Sequence, residues 1–152
     1  MKVLCDRMLG TLAKWIRIFG IDTYYPKEDV DDSELIKISK EENRTLITRD
    51  KELVYNAKRE NVKVIKIDSA VLEDQIEKVL SMVTYDPEKY LSRCLVCNSL
   101  LSDVDRDKIK TKIPKYVFEN NKKFWFCEKC KKIYWKGTHC ENMLSKLKQI
   151  TN

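Results

Sequence analysis

Four times in its first ninety residues the chain sets a short β-rich run before a segment with helical hydrophobic spacing, and this alternation restricts the fold more than any other feature. KVLCD (2–6) predicts a first strand. MLGTLAKWIRIFG (8–20) predicts a helix with Leu9, Leu12, Ile16 and Phe19 on one stripe and Gly20 placed to end it. DTYYP (22–26) predicts a second strand stopped by Pro26, and DDSELIKISKEEN (31–43) a helix that opens on Asp and Ser caps. The strand RTLITRD (44–50), the helix KELVYNAKREN (51–61), the strand VKVIKID (62–68) and the helix LEDQIEKVLSMV (72–83) complete the series. A βαβαβαβα order requires crossover helices, so the expected class is α/β: a three-layer αβα domain around a parallel sheet.

In such sheets ligands bind outside the carboxyl ends of the strands, where the connecting loops and helix N-termini converge. Three predicted strands end in aspartate, at Asp6, Asp50 and Asp68, and the second connection brings Asp31 and Asp32 to the same rim. Carboxylates gathered there repel one another unless a divalent cation lies between them, which points to metal-assisted phosphoryl chemistry. Caps compete for the same residues: Asp31 or Asp32 and Asp50 each precede a helix, and Asp68 suits a turn. Asp6, closing an apolar strand, has no such simple alternative.

Beyond DPEKYLSRC the alternation stops and cysteines begin. Cys94-x-x-Cys97 and Cys127-x-x-Cys130 present two thiolates each across a 29-residue segment, the ligand set of a closed, structural tetrahedral Zn²⁺ site. A redox role for Cys-x-x-Cys fits less well, since neither copy opens a helix after a strand. These features divide the chain into domains 1–90 and 91–152, the second a small zinc ribbon that needs its metal to fold. Residues 1–90 carry 16 Lys+Arg and 18 Asp+Glu, net −2, whereas residues 91–152 carry 14 and 6, net +8. A basic unit beside an acidic one favours a polyanionic partner, nucleic acid above all. Tyr116, Phe124, Trp125, Phe126, Tyr134 and Trp135 interleave with lysines, a pattern that can stack single-stranded bases, although about half of these rings are needed as core. Cys5 is expected as buried packing and Cys140 as a free thiol, with His139 serving RNA or the ribbon's last segment. The N-terminus reaches Asp6 after three apolar residues, too soon for a signal peptide, so a cytoplasmic location is expected.

The runs CDRMLGTLAKWIRIFGIDT, DDSEL, RTLITRD, RCLVCNSLL and CEKCKKIYWKGTHCENM, in that order, resemble the PIN-like ribonuclease family with a C-terminal zinc ribbon, named after the carboxyl-terminal region of the mutator-seven exonuclease. The resemblance implies a PIN-like fold and a metal-dependent endoribonuclease, with Asp6, Asp32 and Asp50 coordinating Mg²⁺ or Mn²⁺. Two departures stand out. The family's Ala-Arg-Trp-Leu-Arg appears as Ala13-Lys14-Trp15-Ile16-Arg17, and its Gly-Ser-His-Tyr ending as Gly137-Thr138-His139-Cys140. Lysine keeps the charge of arginine but loses its bidentate fork.

Independently of that resemblance, Lys14 and Arg17 lie three apart on the first helix, and Arg7 and Arg49 flank carboxylates, so these four are candidate phosphate ligands. The competing function is a non-catalytic zinc-ribbon RNA-binding protein in RNA or ribosome processing. A phosphoacceptor receiver domain is disfavoured, since its acidic pair belongs after strand 1.

Overall fold

The computed structural model describes residues 1–151, without the side chains of His139 and of residues 148–151. Strands β1 (Lys2–Cys5), β2 (Asp22–Tyr24), β3 (Thr45–Thr48) and β4 (Val64–Lys66) form one parallel sheet in the order β2-β1-β3-β4. Between and after them come helices α1 (Gly10–Ile18), α2 (Asp32–Glu41), α3 (Lys51–Arg59) and α4 (Leu72–Met82). Alternation along the strands sorts the side chains into two cores. Val3, Cys5, Ile47 and Ile65 pack against Leu12, Ile16, Ile76 and Val79 of α1 and α4. Leu4 and Leu46 pack on the other face against Leu35, Leu53 and Ala57 of α2 and α3. The three layers predicted from the sequence are therefore present, with element ends up to two residues shorter than expected.

A short 3₁₀ turn, Arg7–Leu9, separates β1 from α1, so the first helix begins later than its hydrophobic stripe indicates. Gly20 closes the helical segment with φ +80°, and a Cβ there would lie 2.3 Å from the Lys89 carbonyl oxygen, so no other residue fits without backbone movement.

The second half builds a three-stranded antiparallel sheet from β5 (Ser102–Asp103), β6 (Trp125–Cys127) and β7 (Lys132–Tyr134), with helix α5 (Lys115–Asn120) beside it. Its own core is small, centred on Ile109, Val117 and Phe124. The last helix, α6 (Thr138–Thr151), turns back, and its Met143 and Leu147 enter the core formed by α1 and α4. Residues 91–152 thus complete the first hydrophobic core as well as forming their own.

The turn that carries Cys94 and Cys97 seals the sheet's open edge. β2 is an edge strand, and its outward amide and carbonyl at Thr23 need partners. Asn98, in the left-handed region at φ 68°, accepts the Thr23 N–H through its side-chain oxygen at 3.0 Å and donates to the Asp22 carboxylate at 2.7 Å. Arg17 donates to the Thr23 carbonyl through Nε (3.0 Å) and Nη2 (2.8 Å), and through Nη1 to the Leu95 carbonyl (2.8 Å).

Candidate active site and metal centre

The loops after β1 and β3 diverge, because α1 packs on one face of the sheet and α3 on the other. Neighbouring strands whose connections part in this way leave a crevice at their carboxyl ends. Asp6 and Asp50 flank that crevice. Asp6 is 5% exposed, and its backbone N–H donates to the Ile47 carbonyl of the adjacent strand at 3.1 Å. One carboxylate oxygen accepts the Met8 N–H at 2.9 Å, and the other accepts the hydroxyl of fully buried Thr48. The same hydroxyl accepts the Asp50 N–H at 3.0 Å, so a single threonine ties the two aspartates together. Asp50 also caps α3, accepting from the Glu52 and Leu53 amides at 2.8 and 3.2 Å through one oxygen.

The structure separates the roles of the acidic pair. Asp31 is the cap of α2, accepting the Glu34 N–H at 2.9 Å and the Ser33 hydroxyl at 2.7 Å. Asp32, one residue on and half-buried, feels the other carboxylates: burial pushes its carboxyl up, followed by the charges of Asp50, Glu52, Asp6 and Asp31. Glu52 is therefore a further carboxylate of this cluster that sequence reasoning missed. Its signal was a second acid in the first turn of α3, just as that of Thr48 was a hydroxyl two residues before Asp50. Asp68 stands apart, exposed and paired with Lys66 at 3.2 Å. Among the described residues, none of the ion pairs involves Asp6, Asp32 or Asp50.

Cys94, Cys97, Cys127 and Cys130 meet as predicted from their spacing, their sulfurs all within 4.8 Å of one another. A tetrahedral zinc–thiolate shell needs sulfurs about 3.8 Å apart, so the four can hold an ion such as zinc with little movement. Tyr134 braces the set: its hydroxyl accepts the Leu95 N–H at 3.2 Å and lies 3.0 Å from Cys94 Sγ, placed to donate to a thiolate. Without a cation the four sulfurs cannot ionise together. Hydrogen bonding to Cys97, then burial, pushes the Cys130 thiol up to about 12, while burial pushes Cys127 up. At Cys97 burial acts upward but is outweighed by hydrogen bonds from Ser99, Cys130 and Cys127, which bring it down to about 6. Among the described residues this is the one set of three or more possible ligands gathered closely enough to hold an ion, and Asp6, Asp32 and Asp50 do not form such a set.

The family model for the Mut7-C RNAse domain matches residues 1–147, a span that includes both the carboxylate rim and all four cysteines. The chain belongs to this family. A search of curated proteins returned no match. Membership in the Mut7-C RNAse domain family makes this a ribonuclease domain, with RNA as the substrate class.

The basic residues of this Mut7-C RNAse domain divide sharply. Lys14 is exposed on α1 and Arg49 is exposed beside Asp50. Arg7 is half-exposed and pairs with Asp29 at 2.6 Å. Arg17 differs from the phosphate-facing residue expected from its spacing to Lys14: it is 6% exposed, and its guanidinium is spent on the Thr23 and Leu95 carbonyls. Three residues subtend about 300° on a helix, enough for one to reach solvent and the other the core at the edge of an apolar stripe. The ribbon aromatics are largely structural. Phe124 is buried, Trp135 packs edge-on against it at 6.5 Å, Tyr134 braces Cys94, and Tyr116 alone of the six is exposed. Cys5 is fully buried, and Cys140 is an unbridged, half-buried thiol. The expected roles of the His139 side chain fall outside the described residues. No described helix is long and apolar enough to cross a membrane.

Proposed function

We propose that the protein is a metal-dependent endoribonuclease that hydrolyses RNA phosphodiester bonds at Asp6, Asp32 and Asp50, with a zinc-stabilised basic ribbon assisting RNA binding in the cytoplasm. The observation that carries this is the carboxylate cluster at the crevice between β1 and β3, where Asp6 and Asp50 share Thr48 and Asp32 lies in the field of both. Clustered acids without cationic partners are costly unless a divalent ion offsets their repulsion.

When bound there, Mg²⁺ or Mn²⁺ would polarise the scissile phosphate and lower the pKa of an attacking water. The protein's own part is positional. Thr48 and the Met8 amide hold both oxygens of Asp6 in one orientation, so this carboxylate needs little reorganisation as charge develops. Asp50 has one oxygen fixed by the α3 amides, and Asp32 brings a third charge from α2. Arg49, exposed beside Asp50, and Lys14, exposed on α1, are suited to the phosphates flanking the cleaved bond. Zn²⁺ held by Cys94, Cys97, Cys127 and Cys130 is structural, because a shell closed by four thiolates leaves no position for substrate. The PIN-like fold assignment rests on the same motifs and on the sheet order. Incubating the protein with labelled single-stranded RNA in Mn²⁺, Mg²⁺ or EDTA tests the proposal. Cleavage is expected in the first two alone, and RNA binding without cleavage in any of them would favour the non-catalytic alternative.

A further inference from the structure

Between the first cysteine turn and the loop from β2 to α2 lies a groove of about 430 Å³, within the size range of sites that enclose a small organic ligand. Val96 and Asn98 of the turn form one wall, and Tyr25, Pro26, Lys27 and the acidic Glu28 the other. We propose that this groove is a nucleotide subsite of the nuclease, holding the stretch of single-stranded RNA next to the phosphate presented to the carboxylates. This inference rests on the ribonuclease function proposed above and adds a place on the protein for the flanking nucleotide.

Two links join the groove to the acidic rim. Its loop wall runs on through Val30 to Asp31 and Asp32. Tyr25 reaches across to β1's end, its hydroxyl donating at 2.7 Å to the carbonyl of Arg7, the residue after Asp6. That reach depends on Gly10, since a Cβ there would lie 2.9 Å from the Tyr25 hydroxyl oxygen.

The turn's wall is held by hydrogen bonds before any ligand arrives, which lowers the entropic cost of binding. Asn98 is fixed by Thr23 and Asp22, and the turn's Leu95 carbonyl by Arg17. The chemistry suits one unpaired nucleotide: aromatic and aliphatic surface for a base, and the Lys27 ammonium for a phosphate. Val96 is the most telling residue. It is a bulky apolar side chain, 50% exposed, at the tip of a turn whose cysteines need only a small spacer there. Bringing the cysteine turn against β2 thus does more than cover an edge strand, because it builds half of a site.

The test uses zinc-loaded full-length protein and a fluorescein-labelled single-stranded phosphorothioate RNA that resists cleavage. Val96→Asp and Lys27→Glu should each weaken binding about tenfold, comparable to losing one base-stacking contact. Lys78→Glu, on the exposed face of α4, should stay within about twofold of the parent even though it changes more charge than Val96→Asp. Zinc content and melting temperature verify that each variant is folded. With cleavable RNA, the two groove variants should raise KM and leave kcat nearly unchanged. The subsite is overturned if both groove variants bind like the parent, or if Lys78→Glu weakens binding as much as they do. Failure of the ribonuclease proposal has a separate sign, cleavable RNA that is bound but left intact in Mn²⁺ and Mg²⁺, to which this binding measurement is blind.

Discussion

Thr48 shows how one side chain sets the spacing of a site. Its hydroxyl donates to Asp6 and accepts from the Asp50 amide, so its loss frees Asp6 to rotate and orphans a backbone N–H. Thr48→Val, similar in shape, should keep the fold and lower cleavage while wild-type Zn²⁺ content is retained. Asp32 gives a pH signature. Burial and neighbouring acids raise its carboxyl pKa, so the folded state binds this proton more tightly than the unfolded chain does. Its contribution to stability without Mg²⁺ or Mn²⁺ is therefore greatest below the unfolded value, and it is lost as pH rises through the folded one. Thermal unfolding of the zinc-loaded protein without Mg²⁺ or Mn²⁺ should show Asp32→Asn overtaking wild type as pH climbs from about 4 toward neutrality. A variant that melts below wild type throughout that range would show that Asp32 is not in a repulsive cluster. Arg17 and Lys14 should behave as opposites. Arg17→Ala removes three hydrogen bonds from a buried cation and should cost roughly 3 kcal/mol or more in urea unfolding. Lys14→Ala should leave stability within about 0.5 kcal/mol and weaken RNA cleavage instead.

Among the elements, strands and helices of the first ninety residues were legible because their apolar spacing switches cleanly between two periods. Leu9, Leu12, Ile16 and Phe19 are all buried as their stripe requires. Asp6 and Asp50 were legible at strand ends for the same reason, and the four cysteines because ligand spacing is a local code. The fate of Arg17 was not, since it depends on where residues 94–98 dock, a contact across 78 positions that no local pattern records. Nor did spacing show that the cysteine turn would pair with an edge strand through Asn98. This joint makes a prediction of its own. Cys94→Ser should abolish zinc binding and, by loosening the turn, also raise hydrogen exchange at the Thr23 amide. Unchanged protection at Thr23 in the zinc-free variant would show that Asn98 holds the edge without the metal.

As a whole, the molecule is less divisible than its charge distribution implies. A basic second half, net +8 against −2, still favours nucleic acid, and RNA affinity should fall steeply with salt. Yet α6 places Met143 and Leu147 in the core beside α1 and α4, and Leu91 is buried there too. A fragment of residues 1–90 uncovers that surface, so it should unfold at markedly lower urea than the full chain, each lost apolar side chain costing about 2 kcal/mol. The cysteine-bearing half is therefore part of the scaffold that holds the acidic rim, where we place the proposed cleavage site. The most direct measurement is cleavage of labelled single-stranded RNA in saturating Mn²⁺ by the full-length protein and its Asp6→Asn and Asp50→Asn variants, each verified as folded and zinc-loaded. The account predicts Mn²⁺-dependent cleavage that falls on the order of a hundredfold or more in either variant, the scale of losing a key electrostatic group. Cleavage by both variants at the wild-type rate would contradict it.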